Sequence, residues 1–163
     1  MATANKNLSS YSTKNISNGA DFKIGIVVSD WNEHITHRLM EGAIATLKEQ
    51  GVSESNIHIQ QVPGAFELPL GAQYFCERED IDGVITIGVV IQGETRHFDF
   101  VCSGTTQGIM DVMLKYNKPV AFCVLTDNNE QQSLDRAGGK HGNKGIEAAA
   151  ACLQMLSNKK KFA

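Results

Sequence analysis

The sequence lacks the features that mark several large classes of protein. Its 15 Lys and Arg residues do not exceed its 18 Asp and Glu residues, and the net charge is −3. A protein that neutralises nucleic-acid phosphates needs a basic surface, so this balance argues against nucleic-acid binding. No apolar run approaches the roughly 20 residues that a membrane-spanning helix needs. We therefore expect a protein that binds neither nucleic acid nor membrane.

Cysteine is present but never in a metal-binding or redox spacing. The four cysteines, Cys76, Cys102, Cys123 and Cys152, are far apart in the sequence, and no CxxC pair occurs. A zinc ribbon or a redox dithiol is therefore unsupported, and buried free thiols are the preferred interpretation. The first residues also lack the apolar core of a signal peptide. Together these features predict a cytoplasmic location.

The remaining composition is that of one ordinary globular domain. The chain has 163 residues, of which 42% are hydrophobic, and this suffices for one sizeable core. Half of residues 1–20 are Ser, Thr or Asn, and a segment with so little to bury cannot offset its ordering entropy. We predict a flexible N-terminal tail over residues 1–20 and a single domain over residues 21–163.

After residue 21, short apolar runs alternate with segments of helical periodicity. The runs lie at residues 24–28, 57–62, 84–91 and 120–125. A helix is predicted after each run, and Gly51 is expected to end the first helix. Two helices are predicted after the last run, near residues 131–136 and 144–156. This alternation predicts an α/β fold, a three-layer α/β/α sandwich around a four-stranded parallel sheet.

Ligands of an open parallel sheet bind beyond the carboxyl ends of its strands. The segments that leave the predicted strands are residues 29–32, 62–67, 92–97 and 126–128. Neither a GxGxxG fingerprint nor a P-loop occurs, since the similar segment at residues 138–145 has the wrong spacing. Nucleotide chemistry of those two kinds is therefore improbable.

Three histidines in or near these segments are candidates for chemistry. His97 follows the third strand, beside Arg96 and two residues before Asp99. At this position it fits either a general base or a capping or surface histidine. His34 and His37 are three residues apart on the first helix, but no third ligand is evident, so a solvated helix face is preferred and no metal is expected.

Three blocks of residues in these segments resemble those of the 6,7-dimethyl-8-ribityllumazine synthase family. They are Val62–Pro69 (VPGAFELP), Gly93–Asp99 (GETRHFD), and Asp135–Gly138 (DRAG) followed by Gly142–Gly145 (GNKG). The resemblance covers residues 21–157 and leaves out the tail. It implies a four-stranded parallel sandwich of flavodoxin-like topology, which agrees with the periodicity.

The resemblance implies a reaction as well as a fold. The family condenses 5-amino-6-(D-ribitylamino)uracil with 3,4-dihydroxy-2-butanone 4-phosphate, and it releases 6,7-dimethyl-8-ribityllumazine, phosphate and water. This is the penultimate step of riboflavin biosynthesis, catalysed by a transferase. Because the substrate amines are the nucleophiles, no cofactor is expected, and the protein must supply orientation, a proton shuttle and anion binding.

The resemblance assigns one group of residues to the uracil substrate. Trp31 would stack on the uracil ring, at a position where the family commonly has Phe. Backbone groups that would bind the pyrimidine and the ribityl chain belong to Ala65, Phe66, Val89, Val90 and Ile91. Glu67 would accept a hydrogen bond from a ribityl hydroxyl. His97 would be the proton-transfer residue.

A second group of residues would bind the phosphate of the other substrate. Glu94 and Thr95 would hold it through backbone amides and the Thr hydroxyl, with the Glu94 carboxylate pointing away. Arg136 would bind it by charge-assisted hydrogen bonds. Lys144, in reach of Glu147, would be a weaker second contact.

The resemblance also implies assembly. In the family, Phe122 and Arg136 come from the adjacent subunit of a ring-shaped pentamer, where Phe122 closes the pyrimidine site. Some members stack pentamers into an icosahedral shell, and the absence of an insertion in residues 136–145 favours the shell here. Riboflavin synthase is a further possible partner. Three alternatives stay open: a riboflavin synthase of the same fold, a non-catalytic flavin- or lumazine-binding module, and a container whose main role is assembly.

Overall fold

Four parallel strands form the central sheet. The computed structural model describes residues 18–162 of the chain. The strands are β1 (Ile24–Ser29), β2 (Ile57–Val62), β3 (Gly83–Ile91) and β4 (Val120–Asp127). They lie in the order β2-β1-β3-β4, and all three neighbouring pairs are parallel. The predicted four-stranded parallel sheet is confirmed.

Helices cover both faces of this sheet. The α-helices within residues 18–162 are α1 (Glu33–Glu49), α2 (Leu68–Cys76), α3 (His97–Tyr116), α4 (Glu130–Arg136) and α5 (Lys144–Phe162). Helices α1 and α5 pack together over one face, whereas α2 and α3 pack over the other. The three-layer sandwich is therefore also confirmed. None of the helices in this part of the chain has an apolar stretch long enough to cross a membrane.

The burial of each strand follows from its place in the sheet. All six residues of β1 are buried, because the strand has neighbours on both sides and helices on both faces. Ile24 and Ile26 face the core beneath α1 and α5, whereas Val27 faces the core beneath α2 and α3. Strand β2 is an edge strand, and its Gln60 and Gln61 are exposed.

Only the end of the predicted tail can be compared with the structure, because residues 1–17 lie outside the described residues. The amide of Gly19 donates a hydrogen bond to the carbonyl oxygen of Gln50 over 2.8 Å. The side-chain oxygen of Asn18 accepts one from the amide of Ala20 over 2.9 Å. The chain is thus already bonded to the end of α1 before residue 21.

Turns and helix ends agree with the sequence in part. Gly51 follows α1 with a φ of 92°, and it closes this helix as predicted. Helix α5 runs beyond the predicted residue 156, and in its last turn Lys159 Nζ donates to the carbonyl oxygen of Asn117 over 2.6 Å. The glycine-rich segment between α4 and α5 forms a short antiparallel pair that was not predicted, β5 (Ala137–Gly139) with β6 (Gly142–Asn143).

Candidate active site

The carboxyl ends of β1 and β2 are tied together by backbone hydrogen bonds. The amide of Asp30 donates to the carbonyl oxygen of Val62 over 2.8 Å, and that of Trp31 donates to Pro63 over 3.2 Å. The side chain of Trp31 remains 73% exposed. Trp31 is therefore not a core residue, and the flat face of its indole ring is accessible at this edge of the sheet.

Asn32 links the end of β1 to β3, and the sequence did not single it out as a site residue. Its backbone is left-handed, with φ at 63°, a conformation that asparagine tolerates better than most residues. Its Nδ2 donates to the carbonyl oxygen of Val89 over 3.3 Å. Asn32 thus holds Trp31 and the end of β3 on the same edge.

A single turn of 3-10 helix, Ala65–Glu67, follows β2. Within this turn Ala65 is buried, whereas the side chains of Phe66 and Glu67 are exposed. Pro69 stands in the first turn of α2, where its missing amide leaves no intrahelical hydrogen bond unmade. The turn presents backbone groups and one carboxylate beside Trp31.

The end of β3 leads through an exposed loop to His97, the first residue of α3. Val89 is buried, and Val90 and Ile91 are half-buried. The hydroxyl of Thr95 accepts a hydrogen bond from the amide of His97 over 3.4 Å. The loop therefore ends at the N-terminus of a long helix, where amides and the helix dipole favour an anion.

Arg96 and Asp99 interact with each other beside His97. Arg96 Nε lies 3.5 Å from Asp99 Oδ2, and the Arg96 guanidinium stacks 5.8 Å from the centre of the Phe100 ring. The side chain of His97 is exposed at the start of α3. An exposed imidazole at a strand end has the access that proton transfer to a bound substrate needs.

A buried carboxylate at the end of β4 orients Arg136. Asp127 Oδ2 accepts from the Ser133 hydroxyl over 2.7 Å, and Asp127 Oδ1 lies 3.6 Å from Arg136 Nη1. The same Nη1 donates to the carbonyl oxygen of Gln132 over 2.8 Å. Arg136 was predicted as a site residue, whereas Asp127 was included only within the strand-end segment 126–128 and was given no role. A charged residue at the end of an apolar strand was the signal that could have identified it.

One predicted site residue, Phe122, lies away from this group within one chain. Phe122 lies on the edge strand β4 opposite Thr86, whereas Val89 pairs with Leu125. The three-residue difference places Phe122 about 10 Å back from the level of Val89. Lys144 begins α5, and its Nζ donates to Glu147 Oε1 over 2.6 Å. The expected pairing of Lys144 with Glu147 is thus present.

The histidines of α1 have carboxylate partners. His34 Nε2 lies 2.6 Å from Glu130 Oε1, and His37 Nδ1 lies 3.6 Å from Glu33 Oε1. Within residues 18–162, no group of three or more His, Cys, Asp or Glu residues is arranged to hold a metal ion.

The cysteines are poor nucleophiles. Burial raises the pKa of Cys76 to about 11 and the pKa of Cys123 and Cys152 to about 12. Burial, followed by the nearby Asp99 carboxylate, raises the pKa of Cys102 as well. Thiols held protonated do not attack substrates at neutral pH. The arrangement at the strand ends suits orientation and proton transfer better than covalent catalysis by a thiolate.

Comparison with known proteins agrees with this geometry. Residues 21–160 match the family model of 6,7-dimethyl-8-ribityllumazine synthase. The chain is 55% identical over 157 residues to the 6,7-dimethyl-8-ribityllumazine synthase of Cytophaga hutchinsonii, which covers 96% of this chain and 98% of that protein. It is 56% identical over 155 residues to the same enzyme of Flavobacterium johnsoniae, covering 95% of this chain and 82% of the relative. The chain therefore belongs to the 6,7-dimethyl-8-ribityllumazine synthase family.

Proposed function

We propose that the carboxyl edge of the sheet is the active site of lumazine synthesis in this chain. The chain is a transferase of riboflavin biosynthesis, which condenses 5-amino-6-(D-ribitylamino)uracil with 3,4-dihydroxy-2-butanone 4-phosphate. The main observation behind this assignment is that the carboxyl ends of β1, β2 and β3 lie at the same edge of the sheet. They bring Trp31, the turn Ala65–Glu67 and His97 to one edge.

The uracil substrate binds between Trp31 and the ends of β2 and β3. Its ring stacks on the exposed indole, which offers a large flat face. Backbone groups of two segments bind the pyrimidine and the ribityl chain; these are Ala65 and Phe66, and Val89, Val90 and Ile91. The Glu67 carboxylate accepts from a ribityl hydroxyl. The exposed position of Glu67 and the partial burial of Val90 and Ile91 support these roles.

The phosphate of the second substrate binds at the N-terminus of α3. Amides of Glu94 and Thr95 and the Thr95 hydroxyl surround it, and the helix dipole adds to their attraction. Arg136 of the adjacent subunit supplies the opposite charge, from a side chain that Asp127 of the same subunit holds in place. Lys144 contributes less, because its charge is already paired with Glu147.

His97 transfers protons during imine formation, phosphate elimination and ring closure. An imidazole ring can both accept and return a proton. The substrate amines serve as nucleophiles, so the steps assigned to the protein need no cofactor. Holding the two substrates together supplies a large part of the rate enhancement.

The site is completed by a neighbouring subunit. Phe122 is 44% exposed on an edge strand, and this supports a role in covering the pyrimidine site of an adjacent copy. Further exposed apolar side chains, Leu114, Met155 and Phe162, line a cavity of about 680 Å³ near the start of β4. Such exposed apolar surface supports a homo-oligomer, in which Arg136 also acts in the neighbour's site.

The oligomer is a pentamer, and pentamers assemble further into an icosahedral shell. The short connection formed by β5 and β6 supports the shell, because it carries no insertion. Riboflavin synthase is the partner that such a shell would enclose. Sedimentation of the purified chain distinguishes a pentamer from a shell, and co-purification tests the partner.

The single domain beginning at residue 21 and the cytoplasmic location remain parts of the same proposal. All four cysteines are free, which supports a reducing compartment. Limited proteolysis of the purified chain tests the boundary at residue 21.

The activity is tested by mixing the purified chain with both substrates and following lumazine absorbance against a control without enzyme. Acceleration that disappears when either substrate is omitted establishes the synthase. Absence of acceleration, with ligand still quenching Trp31 fluorescence, favours the binding module instead.

Two substitutions test the assigned roles. We expect His97→Ala to lower turnover about a hundredfold with a modest loss of binding. Arg136→Ala should raise the KM for the butanone phosphate at least about tenfold and change that for the uracil far less. Arg78→Ala removes an exposed charge paired with Asp80 at the opposite end of the sheet, and it serves as the control. Equal effects of Arg136→Ala on both substrates would refute the phosphate role.

A further inference from the structure

The turn Ala65–Glu67 has few hydrogen bonds of its own: the amide of Glu67 donates to the carbonyl oxygen of Gly64, and the amide of Leu68 donates to that of Ala65. It is one turn of 3-10 helix, and the residue before it, Gly64, provides no side-chain cap. The proposed function nevertheless places the pyrimidine against backbone groups of Ala65 and Phe66. Their orientation must therefore be set by contacts outside the turn. These contacts come from β3, from α2 and from one face of α3.

Thr105, in the middle of α3, forms a polar contact with this turn. It is fully buried, and its Oγ1 donates a hydrogen bond to the carbonyl oxygen of Ala65 over 3.1 Å. Water does not reach this hydroxyl, so a residue without a donor would leave the Ala65 carbonyl with only the backbone amide of Leu68 as a partner. The turn would then lose its polar link to α3 and keep only apolar contacts with that helix.

Two glycines on the same face of α3 allow the close approach. A Cβ on Gly104 would lie 2.8 Å from Cε2 of the Phe66 ring, and one on Gly108 would lie 2.8 Å from Pro69. Positions 104, 105 and 108 share a helix face. Thr105 is thus the polar residue in an otherwise apolar and close contact between α3 and the turn.

Helix α3 also begins with His97, about 12 Å along the helix axis from Thr105. One rigid element therefore carries both the proton-transfer residue and the support of the pyrimidine-binding turn. We propose that Thr105 is a positioning residue for lumazine synthesis, whose hydrogen bond to Ala65 sets the turn relative to His97. This inference rests on the proposed function and deepens it.

The test compares Thr105→Val, which keeps the shape but removes the donor, with Thr105→Ser, which keeps the donor. Thr86→Val is the matched control, because Thr86 is fully buried and its Oγ1 also donates to a backbone carbonyl, that of Ala121, over 3.1 Å. Thr86 lies in the middle of β3, away from the carboxyl edge. The two valine variants should therefore lose similar stability in urea.

The KM values of the full-length variants for the two substrates test whether Thr105 positions the turn. Thr105→Val should raise the KM for the uracil substrate about tenfold and leave that for the butanone phosphate unchanged within about twofold. Thr105→Ser should restore the KM, and Thr86→Val should leave both values unchanged. A wild-type KM in Thr105→Val, or an equal rise in both valine variants, overturns the inference. Thr105→Ala, which cannot overpack the contact, repeats the test if the valine variant fails to fold.

Calorimetric titration with the uracil substrate alone separates the inference from the proposed function. If the wild-type chain does not accelerate the condensation, the proposed function fails. The inference about the turn then depends on the dissociation constants. A constant about tenfold weaker in Thr105→Val than in Thr86→Val supports it, and equal constants overturn it. A wild-type chain that does not bind the uracil overturns both.

Discussion

Replacing Gly145 with alanine tests how α5 packs on α1. Gly145 is buried in the first turn of α5, against the backbone of Leu39 in α1. A Cβ at this position would overlap the carbonyl oxygen of Leu39 and lie 2.7 Å from its carbonyl carbon. Ordinary van der Waals contact begins near 3.4 Å. The two helices would therefore have to separate by at least about 0.7 Å.

Two effects of this substitution oppose each other. Alanine is the better helix former, which would raise the free energy of unfolding by at most about 1 kcal/mol. Overpacking against rigid backbone costs about 1–3 kcal/mol or more. Separating the helices also loosens the core around Leu39 and Leu153. We expect the overpacking to dominate and the free energy of unfolding to fall by about 2 kcal/mol.

Urea denaturation followed by circular dichroism, at one fixed protein concentration, measures this change. Gly93→Ala is the matched control, since a Cβ built at Gly93 meets no atom within 4 Å other than those of Gly93 and its two chain neighbours. The control should change the free energy of unfolding by less than about 0.5 kcal/mol. A Gly145→Ala variant as stable as the wild type would refute the reasoning, because helix propensity would then outweigh the contact with α1.

Two further predictions concern buried thiols and a helix cap. Burial raises the pKa of Cys123 and Cys152 from 9.0 to about 12, so the unfolded chain loses these protons first. The free energy of unfolding from urea titrations should therefore stay constant below about pH 9 and fall as the pH rises towards 12. A variant with alanine at both positions should show a less steep fall. Asn129 Oδ1 accepts from the Gln132 amide at the start of α4. In the same assay, Asn129→Ala should cost about 1 kcal/mol, whereas Asn129→Asp keeps the acceptor.

Sequence reasoning predicted the sheet well because buried parallel strands leave a strong signal. The runs at β1 and β3 are mostly apolar, apart from Ser29 and Thr86, since both faces of each strand are covered. The positions of Trp31, the Ala65–Glu67 turn and His97 then followed, because carboxyl ends of parallel strands share one edge.

Features that depend on contacts between distant residues were not predictable in this way. The residues just before His97, at positions 92–96, are exposed and none is apolar, so the apolar pattern placed the body of α3 but not its first residue. The pairing of β5 with β6 needs left-handed backbone at Gly138 and Gly142, which composition alone does not locate. Thr105 meets Ala65 only through the packing of α3, and a threonine within a helix gives no sign of such a contact.

The exposed position of Trp31 also determines what the chain's fluorescence reports. It is the single tryptophan of the sequence, and its side chain is already largely in contact with solvent in the folded chain. Unfolding of one chain therefore changes its surroundings little, so emission from this residue is a weak indicator of global melting. Changes in that emission instead report the binding of a ligand or a neighbouring chain at the carboxyl edge of the sheet. Trp31 is therefore an intrinsic fluorescent probe of binding at that edge.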